Sequence, residues 1–336
     1  MIRFLLSLAE SGFIPDSIIK IAARYISKGR LNDQSAYDNK DKIISELSKG
    51  TVAEKTYDAN EQHYEVPPEF FNHVLGENLK YSCSLFDNVD SLNEAEESML
   101  ELYMERADIK NTHDVLDLGC GWGSFSLYAA ERYPNIKITS VSNSSDQINY
   151  IKNEAQKRGL LNIKAVRMDV NNLELYKQFD RIISIEMFEH LRNYKSILNS
   201  LNHLLKPDGR LFIHIFCNKK LTYFYEIKNN FDWMTKYFFQ GGIMPSKDIF
   251  EYFDDELEIV NQWDINGNHY SKTCKAWLNN HYKNKKKILD IFERHYDEPK
   301  IWFNRWRIFF LSCEAFFALN NGKEYFVSHY LFKKCD

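Results

Sequence analysis

Short apolar runs alternate with amphipathic stretches between residues 111 and 217. The runs have the length and the Val, Ile and Leu content of buried strands. We predict five strands, at Asp114–Leu118, Ile136–Val141, Ile163–Met168, Arg181–Ile185 and Arg210–Phe216. Helices are predicted between them at Ser124–Arg132, Ser144–Lys157 and Tyr194–Leu205. This alternation is typical of a doubly wound, mostly parallel α/β sheet, on which ligands bind beyond the carboxyl ends of the strands.

The regions on either side of this alternation carry helical patterns. Residues 1–60 are predicted to be a helical extension, because apolar residues recur at helical spacing after Pro15 and residues 41–48 fit a second helix. Residues 61–336 form the predicted main domain, with aromatic-rich helical cap insertions at about 218–255 and 270–320. Two further strands are predicted at Leu257–Trp263 and Tyr325–Phe332.

A helix lying in a membrane interface is an alternative for the N-terminal extension. Two acidic residues disfavour it, because Glu10 and Asp16 would then face anionic lipid. No stretch approaches the length of about 18 apolar residues that a membrane span needs. We therefore predict a cytoplasmic protein without integral membrane association, and leave peripheral lipid contact and a homodimer open.

Composition excludes several classes of protein. The 336 residues are 44% hydrophobic and 27% charged, which is typical of a globular chain. The formal net charge of −4 lacks the basic excess of a nucleic-acid-binding protein. The six cysteines are scattered without a CxxC pair, so neither a metal site nor a disulfide framework is predicted.

A glycine-rich segment follows the first predicted strand, in the sequence Val115-Leu-Asp-Leu-Gly-Cys-Gly-Trp-Gly-Ser124. The glycines allow a sharp turn and a close approach of the backbone to a ligand, and the next helix presents free N–H groups. The spacing is G-x-G-x-G and differs from the dinucleotide fingerprint G-x-G-x-x-G. The acidic strand end at Asp117 favours a ligand with hydroxyls and an amino acid moiety over a pyrophosphate.

This loop resembles the cofactor loop of class I S-adenosylmethionine-dependent methyltransferases. Tyr81-Ser-Cys83, Val141–Gln147 and Glu186–His190 resemble signatures of the cyclopropane fatty acid synthase superfamily. Three later segments are similar to its coclaurine N-methyltransferase branch: Asp232–Ser246, Gly267–Tyr270 and Asn320–Glu324. The resemblance implies a Rossmann-like, seven-stranded sheet with an N-terminal helical lid and a helical cap. It also implies S-adenosylmethionine as cofactor and S-adenosylhomocysteine as product.

The resemblance implies a cofactor site made of ten residues. Asp117, Gly119 and Gly121 would lie under the methionine part of the cofactor. Tyr81 and Ser82 would cover it from the N-terminal side. Neutral side chains stand at the end of the second strand, where many class I enzymes place an acidic residue for the ribose: Ser142, Asn143 and, one turn on, Gln147. Asp169 and Val170 fall where the adenine ring would lie, and the alternative for Asp169 is a cap of the strand end.

Three polar residues after the fourth strand are the candidate catalytic groups: Glu186, Glu189 and His190. An amine attacks a methyl group only in its neutral form, and a carboxylate beside an imidazole can orient the ammonium and take up its proton. If the segment is helical, Glu186 and His190 lie on one face. The alternative is a solvated helix end. E-x-x-E-H differs from the zinc motif H-E-x-x-H, so no metal is implied.

A second set of residues follows from the same resemblance. Cyclopropane synthases hold a bicarbonate base with cysteine, glutamate, histidine, isoleucine and tyrosine, and the matching positions are Cys83, Glu189, His214, Phe216 and Tyr270. Phe at 216 and Glu at 186 depart from the synthases and favour the amine branch. For His214 alone, a core histidine bonded to the backbone is the alternative.

These observations predict methyl transfer to the nitrogen of a small cyclic or aromatic amine. A lipid-modifying enzyme that acts on unsaturated acyl chains is the alternative. A protein that binds the cofactor without turnover is disfavoured by the three candidate catalytic groups, and a nucleic-acid methyltransferase by the charge.

Overall fold

A seven-stranded sheet forms the centre of the protein in the computed structural model, which describes residues 2–33, 37, 39–53, 66–228 and 232–335. Its order is β3-β2-β1-β4-β5-β9-β8. The first five strands are parallel, and they are β1 (Asp114–Leu118), β2 (Lys137–Ser142), β3 (Ile163–Arg167), β4 (Phe179–Ile185) and β5 (Leu205–Asn218). The sequence predicted each of them, with ends that differ by at most five residues. A separate two-stranded sheet pairs β6 (Tyr223–Phe224) with β7 (Ile243–Met244).

The two remaining strands of the main sheet are antiparallel to their neighbours. β9 (Tyr325–Lys334) lies between β5 and β8 (Leu257–Ile265). Its register places His329 directly opposite His214 on β5. Two histidines 115 residues apart in the chain thus become cross-strand neighbours in the interior of the sheet.

The helix α5 (Leu92–Arg106) precedes β1, and parallel strands are connected by the helices α6 (Ser124–Arg132), α7 (Ser145–Arg158) and α8 (Tyr194–Leu204). Local sequence explains their ends. Ser91 and Glu94 form a reciprocal capping box at the start of α5. The Ser144 side chain accepts the N–H of Gln147 at the start of α7, and Gly159 ends that helix with a left-handed backbone.

The N-terminal helices are α1 (Ile2–Glu10), α2 (Asp16–Leu31) and α3 (Lys40–Glu46). The carboxylates of Glu10 and Asp16 face the protein, where they pair with Arg305 at 3.1 Å and Arg307 at 2.5 Å. The half-buried Arg305 and the buried Arg307 of the cap thus hold both carboxylates against the protein. The predicted boundary near residue 60 lies outside the described residues.

Short 3-10 turns lie at Phe188–His190 after β4, at Ile249–Tyr252 and at Leu319–Gly322. The cap consists of α9 (Trp233–Phe238), α10 (Gly267–Lys283), α11 (Lys285–Phe292) and α12 (Pro299–Phe317), together with α4 (Pro68–Val74), which packs against α10 and α11. Many of its aromatic rings are core. Trp306, for example, is 1% exposed and contacts the rings of Phe70, Phe238 and Phe310. Among the described helices, none combines the length and the apolar character needed to cross a membrane.

Candidate active site

A cavity of about 520 Å³ lies at the carboxyl ends of β1 and β4, between the sheet, α2 and the cap. Ten of the predicted site residues line it: Tyr81, Ser82, Asp117, Gly119, Gly121, Gln147, Glu186, His190, Phe216 and Tyr270. Seven others lie outside its lining: Cys83, Ser142, Asn143, Asp169, Val170, Glu189 and His214. The cavity therefore joins the predicted cofactor loop to the candidate catalytic groups.

The glycine loop follows β1 with left-handed backbone at three positions. Gly119 has φ 77°, and a Cβ there would stand 2.8 Å from Met187, so the loop packs directly against the segment that carries Glu186. Gly121 has φ 51°, and a Cβ there would meet no heavy atom within 4 Å. The first glycine serves packing, whereas the second leaves room for a ligand beside the backbone.

Asp117 is a buried carboxylate in the wall of the cavity. Its Oδ2 accepts the hydroxyl of Ser126 at 2.6 Å, and burial raises the pKa of Asp117 to about 7. A cationic ligand would lower that pKa again. The α-amino group of S-adenosylmethionine has this charge, so the loop and its carboxylate fit the implied cofactor.

Two of the neutral residues at the end of β2 and one turn beyond it are joined by a hydrogen bond. Ser142 is buried and donates its hydroxyl to Gln147 Oε1 at 2.7 Å, and Gln147 lines the cavity. The Asn143 backbone carbonyl accepts Arg167 Nε at 2.9 Å. A direct contact with the cofactor is thus offered by Gln147, with Ser142 as its support. The ribose role stays a prediction for all three.

Asp169 and Val170 follow β3. Asp169 is exposed, and its Oδ1 accepts the N–H of Asn171 at 2.8 Å, which is the geometry of a strand-end turn. Val170 packs against the core on one side of the sheet. Their adenine-binding role stays a prediction.

Glu186 lies between β4 and the 3-10 turn at Phe188–His190, with a left-handed backbone of φ 47°. The condition under which Glu186 and His190 would share the face of one helix is not met, because helical geometry begins only after Met187. A left-handed non-glycine residue is uncommon and is typical of functional sites. The Glu186 N–H also donates to the carbonyl of His214 at 2.8 Å, which anchors the turn to β5.

Three donors from separate parts of the chain converge on the Glu186 carboxylate. Its Oε1 accepts the Cys83 backbone N–H at 2.9 Å and His214 Nε2 at 3.0 Å, and its Oε2 accepts the Tyr270 hydroxyl at 2.6 Å. Three members of the set matched to bicarbonate binding therefore hold a carboxylate of this chain. The alternative of a backbone-bonded His214 is wrong for the same reason.

Burial sets the protonation of the two groups that line this end of the cavity. It raises the pKa of Glu186, against the opposing effects of Lys80, Cys83 N–H, Tyr270 and His190. It lowers the pKa of His190 to about 4, against the opposing charge of Glu186. His190 is consequently a neutral imidazole at pH 7, with a nitrogen lone pair able to accept a hydrogen bond.

Glu189 lies behind the cavity wall. It is fully buried, and its Oε1 accepts the Phe216 backbone N–H at 2.7 Å. Burial, together with the nearby charge of Glu186, holds the pKa of Glu189 well above its usual range. This contact supports the backbone of Phe216, whose ring lines the cavity. A catalytic role for Glu189 stays a prediction.

Several polar residues beside Glu186 were not predicted from the sequence. Lys80 is fully buried and donates Nζ to Ser82 Oγ at 2.6 Å and to the Cys83 carbonyl at 2.5 Å. Tyr103 and His329 approach His214 at 2.8 and 2.9 Å. One signal was present, because Ser328 and His329 interrupt the apolar and aromatic run of a predicted strand, and buried polar groups need partners.

Comparison with known proteins agrees with this geometry. A family model described as mycolic acid cyclopropane synthetase matches residues 52–325. The (S)-coclaurine N-methyltransferase of Thalictrum flavum subsp. glaucum is 38% identical, over 98% of this chain and 95% of its own. The (S)-coclaurine N-methyltransferase of Papaver somniferum is 35% identical, over 97% of this chain and 96% of its own length. A crystal structure of coclaurine N-methyltransferase bound to N-methylheliamine and S-adenosylhomocysteine superposes with a TM-score of 0.94, at 36% identity and 99% coverage of both chains.

The fold and the cavity thus define a class I methyltransferase that uses S-adenosylmethionine. The chain belongs to the mycolic acid cyclopropane synthetase family, and it is similar to the coclaurine N-methyltransferases within it.

Proposed function

We propose that this protein transfers a methyl group from S-adenosylmethionine to the nitrogen of a small cyclic or aromatic amine. One observation carries the proposal: a buried carboxylate, held by three donors, stands in the wall of a cavity that also contains the glycine loop. The names of the relatives that match over nearly the whole chain support the same class of acceptor.

The cofactor would be held at one end of the cavity, and the acceptor at the other. Asp117 would pair with its amino group, and the backbone at Gly119 and Gly121 would lie close to its methionine part. When bound, S-adenosylmethionine supplies an electrophilic methyl carbon on a positively charged sulfur. The protein then has to place a neutral nitrogen in line with that carbon.

Glu186 and His190 are suited to produce the neutral nitrogen. The Glu186 carboxylate attracts the ammonium form of the acceptor, and its raised pKa makes it a better base than an exposed carboxylate. His190 remains neutral and orients the acceptor N–H by accepting a hydrogen bond from it. The proton leaves the acceptor nitrogen for a Glu186 oxygen, and the nitrogen lone pair becomes free to attack.

Aromatic rings complete the acceptor end. Phe239 lies 4.8 Å from the His190 ring and 5.6 Å from the Phe216 ring, and all three residues line the cavity. Their π faces attract positive charge and exclude water from the buried carboxylate. A flat cyclic amine fits such a wall by shape and by charge.

The Glu186 contacts also discriminate against the lipid-modifying alternative. That chemistry needs a bicarbonate held by the cysteine, histidine and tyrosine of the matched set, and the same donors here bind Glu186. A second oxyanion at that position would meet the charge of a carboxylate, so the arrangement favours an amine acceptor.

Product formation tests the two functions directly. Purified protein and S-adenosylmethionine would be incubated with a panel of secondary and tertiary amines that includes tetrahydroisoquinolines, and in parallel with unsaturated phospholipid vesicles. Methylation and cyclopropanation each add one CH2 unit, so NMR must assign the position of the new carbon. We expect an N-methyl product; a modified acyl chain would refute the proposal.

Variants at the acceptor end test the assigned residues. Glu186→Ala and His190→Ala should abolish most turnover, by a factor on the order of 10² to 10⁴, with cofactor affinity nearly intact. Formate should restore part of the activity of Glu186→Ala, because the three donors remain to bind a small carboxylate. Loss of cofactor binding in both variants would show instead that these residues are structural.

We also propose a cytoplasmic location. The six cysteines are free thiols, four of them buried. Unpaired thiols in such number are typical of a reducing compartment. Fractionation of the source cells, with antibody detection, would test this part of the proposal.

A further inference from the structure

A chain of hydrogen-bonded side chains outside the cavity lining leads to Glu186. Arg106 Nη1 lies 2.7 Å from His329 Nδ1, His329 Nε2 lies 2.9 Å from His214 Nδ1, and His214 Nε2 lies 3.0 Å from Glu186 Oε1. Both histidines are fully buried. Arg106 is the last residue of α5, half-buried, with its guanidinium 4.9 Å from the centre of the Trp263 ring.

The chemistry of the first group fixes the direction of every bond that follows. A guanidinium only donates hydrogen bonds, so His329 Nδ1 must accept and carries no proton. A neutral His329 is then protonated at Nε2 and donates to His214 Nδ1. That nitrogen is bare in turn, so His214 carries its proton on Nε2 and donates it to Glu186.

Two further observations agree with this direction. The Tyr103 hydroxyl lies 2.8 Å from the same His214 Nδ1, and its rotatable O–H can share the single lone pair of that bare nitrogen with His329. Burial, together with the positive charges of Arg106 and Lys80, holds the pKa of His214 and of His329 well below the usual range. Both rings are consequently neutral, as the direction requires.

We propose that Arg106 is a remote positioning residue, which through His329 and His214 provides Glu186 with a permanent hydrogen-bond donor and keeps the carboxylate ionised and aimed at the acceptor. This inference rests on the proposed function of Glu186. Arg106, His329 and His214 do not line the cavity, so they act on the reaction through Glu186.

The series of hydrogen bonds from Arg106 to Glu186 is unsuited to carry the reaction's proton away. Outward transfer would require every bond to reverse, and a guanidinium has no lone pair to accept the last proton. The proton must therefore leave Glu186 on the cavity side. The charged or titratable groups that face Glu186 from the surrounding segments are Lys80, Cys83, Glu189, His190 and Tyr270.

Nitrogen NMR of protein labelled with ¹⁵N-histidine tests the direction without turnover. We expect both His214 and His329 to show a protonated Nε2 and a bare Nδ1 at neutral pH, with His329→Gln used to assign the signals. In Arg106→Leu, His329 should lose this preference. A protonated Nδ1 on either ring of the wild-type protein would overturn the proposal.

Kinetics of matched variants tests the consequence. Arg106→Leu should lower kcat for amine methylation by roughly tenfold, the effect of one weakened charge-assisted hydrogen bond. It should also move the acidic limb of the pH profile to higher pH, because Glu186 becomes easier to protonate. The KM for S-adenosylmethionine should not change, and Arg106→Lys, which retains a charged donor, should restore most of kcat.

Substitutions of His329 give a second pair in case Arg106→Leu unfolds. Glutamine offers one acceptor and one donor, as the assigned tautomer does, so His329→Gln should retain activity within about threefold whereas His329→Leu loses it. Equal activity of all these variants, with an unmoved acidic limb, would overturn the proposal. If the wild type methylates no amine but the NMR result holds, the proposed function fails and the bond direction stands.

Discussion

Two buried carboxylates at the ends of neighbouring strands show how differently the two ends of the cavity are built. Asp117 lies in β1, one residue before its end, where it accepts the Ser126 hydroxyl and burial raises its pKa to about 7. Glu186, after β4, accepts three donors from three other segments. We call the first region the cofactor end and the second the acceptor end. In the proposed function, the charge of the ligand completes the cofactor end, whereas side chains and backbone of the protein already surround the carboxylate of the acceptor end.

The same contrast appears in where the residues come from. The cofactor end is built largely from one strand, one turn and the starts of two helices, within residues 114–147. The acceptor end combines Cys83 and residues 186–190, 214–216 and 270 with the faces of α2 and α12. A carboxylate that pairs with a charged ligand needs few hydrogen-bond donors from the protein. A carboxylate that must be held in place before the ligand binds needs donors from several segments.

Matched amides at the two carboxylates should produce the largest difference. Glu186→Gln should lower kcat by a factor on the order of 10² to 10⁴ and leave the affinity for S-adenosylhomocysteine unchanged. Asp117→Asn should weaken that affinity and leave kcat at saturating cofactor nearly unchanged. Calorimetric binding and steady-state kinetics separate the two. If both variants lost kcat alone, or both lost affinity for S-adenosylhomocysteine alone, the two ends of the cavity would not be functionally distinct.

Gly119 joins the two ends, because a side chain there would meet Met187. Gly119→Ala should cost about 2 kcal/mol or more of stability, from the left-handed backbone and the contact at 2.8 Å. Gly159→Ala is the control: its φ is also positive, but its Cβ would meet no atom within 4 Å, so a loss of about 1 kcal/mol is expected. Denaturant unfolding measures both, and equal losses would show that the Met187 contact is unimportant.

The pH dependence of cofactor binding should depend on Asp117. The positively charged ammonium group of S-adenosylhomocysteine, placed beside Asp117, favours the ionised carboxyl and so lowers its pKa below the value of about 7 in the free protein. The ligand therefore binds preferentially to the protein in which Asp117 is ionised. Its affinity should fall by about tenfold per pH unit below 7, because the protonated fraction of Asp117 rises. Calorimetry in two buffers should detect the released proton. Asp117→Asn should bind weakly at every pH, and a persistent pH dependence there would assign the titration elsewhere.

The smallest effect is expected from the contact of α2 with the cap. Asp16 accepts Arg307 Nε at 2.8 Å and the Tyr282 hydroxyl at 2.7 Å, and α2 lines the acceptor end. Asp16→Asn should raise the KM of the acceptor by about twofold to fivefold and change stability by about 1 kcal/mol or less. Lys42→Gln, in the exposed pair with Glu46 on α3, is the control and should change neither.

Most of the cofactor end could be predicted from the sequence, because its signals are local. The apolar runs located the strands, and α6 begins and ends at the predicted residues, Ser124 and Arg132. Gly119 and Gly121 marked a turn whose backbone few other residues adopt. Such preferences act within a window of a few residues, so the linear pattern carries them.

The residue types of the acceptor end were also visible in the sequence, but their arrangement was not. Glu186 and His190 were identified, yet the assumption of a shared helix face failed at a left-handed backbone. Glu189, expected beside them, lies behind the wall and holds Phe216. Lys80 and Arg106 carried no motif at all.

The sequence by itself thus determined the fold class, the cofactor loop and the chemical groups available for a reaction. Only the tertiary structure decided that Cys83, His214 and Tyr270 meet on Glu186, and that His329 stands behind His214. These contacts join residues 28 to 115 positions apart, and they depend on strand register and helix packing across the whole domain. A shift of one residue in the pairing of β5 with β9 would turn the His329 side chain to the other face of the sheet, and no local pattern records that register.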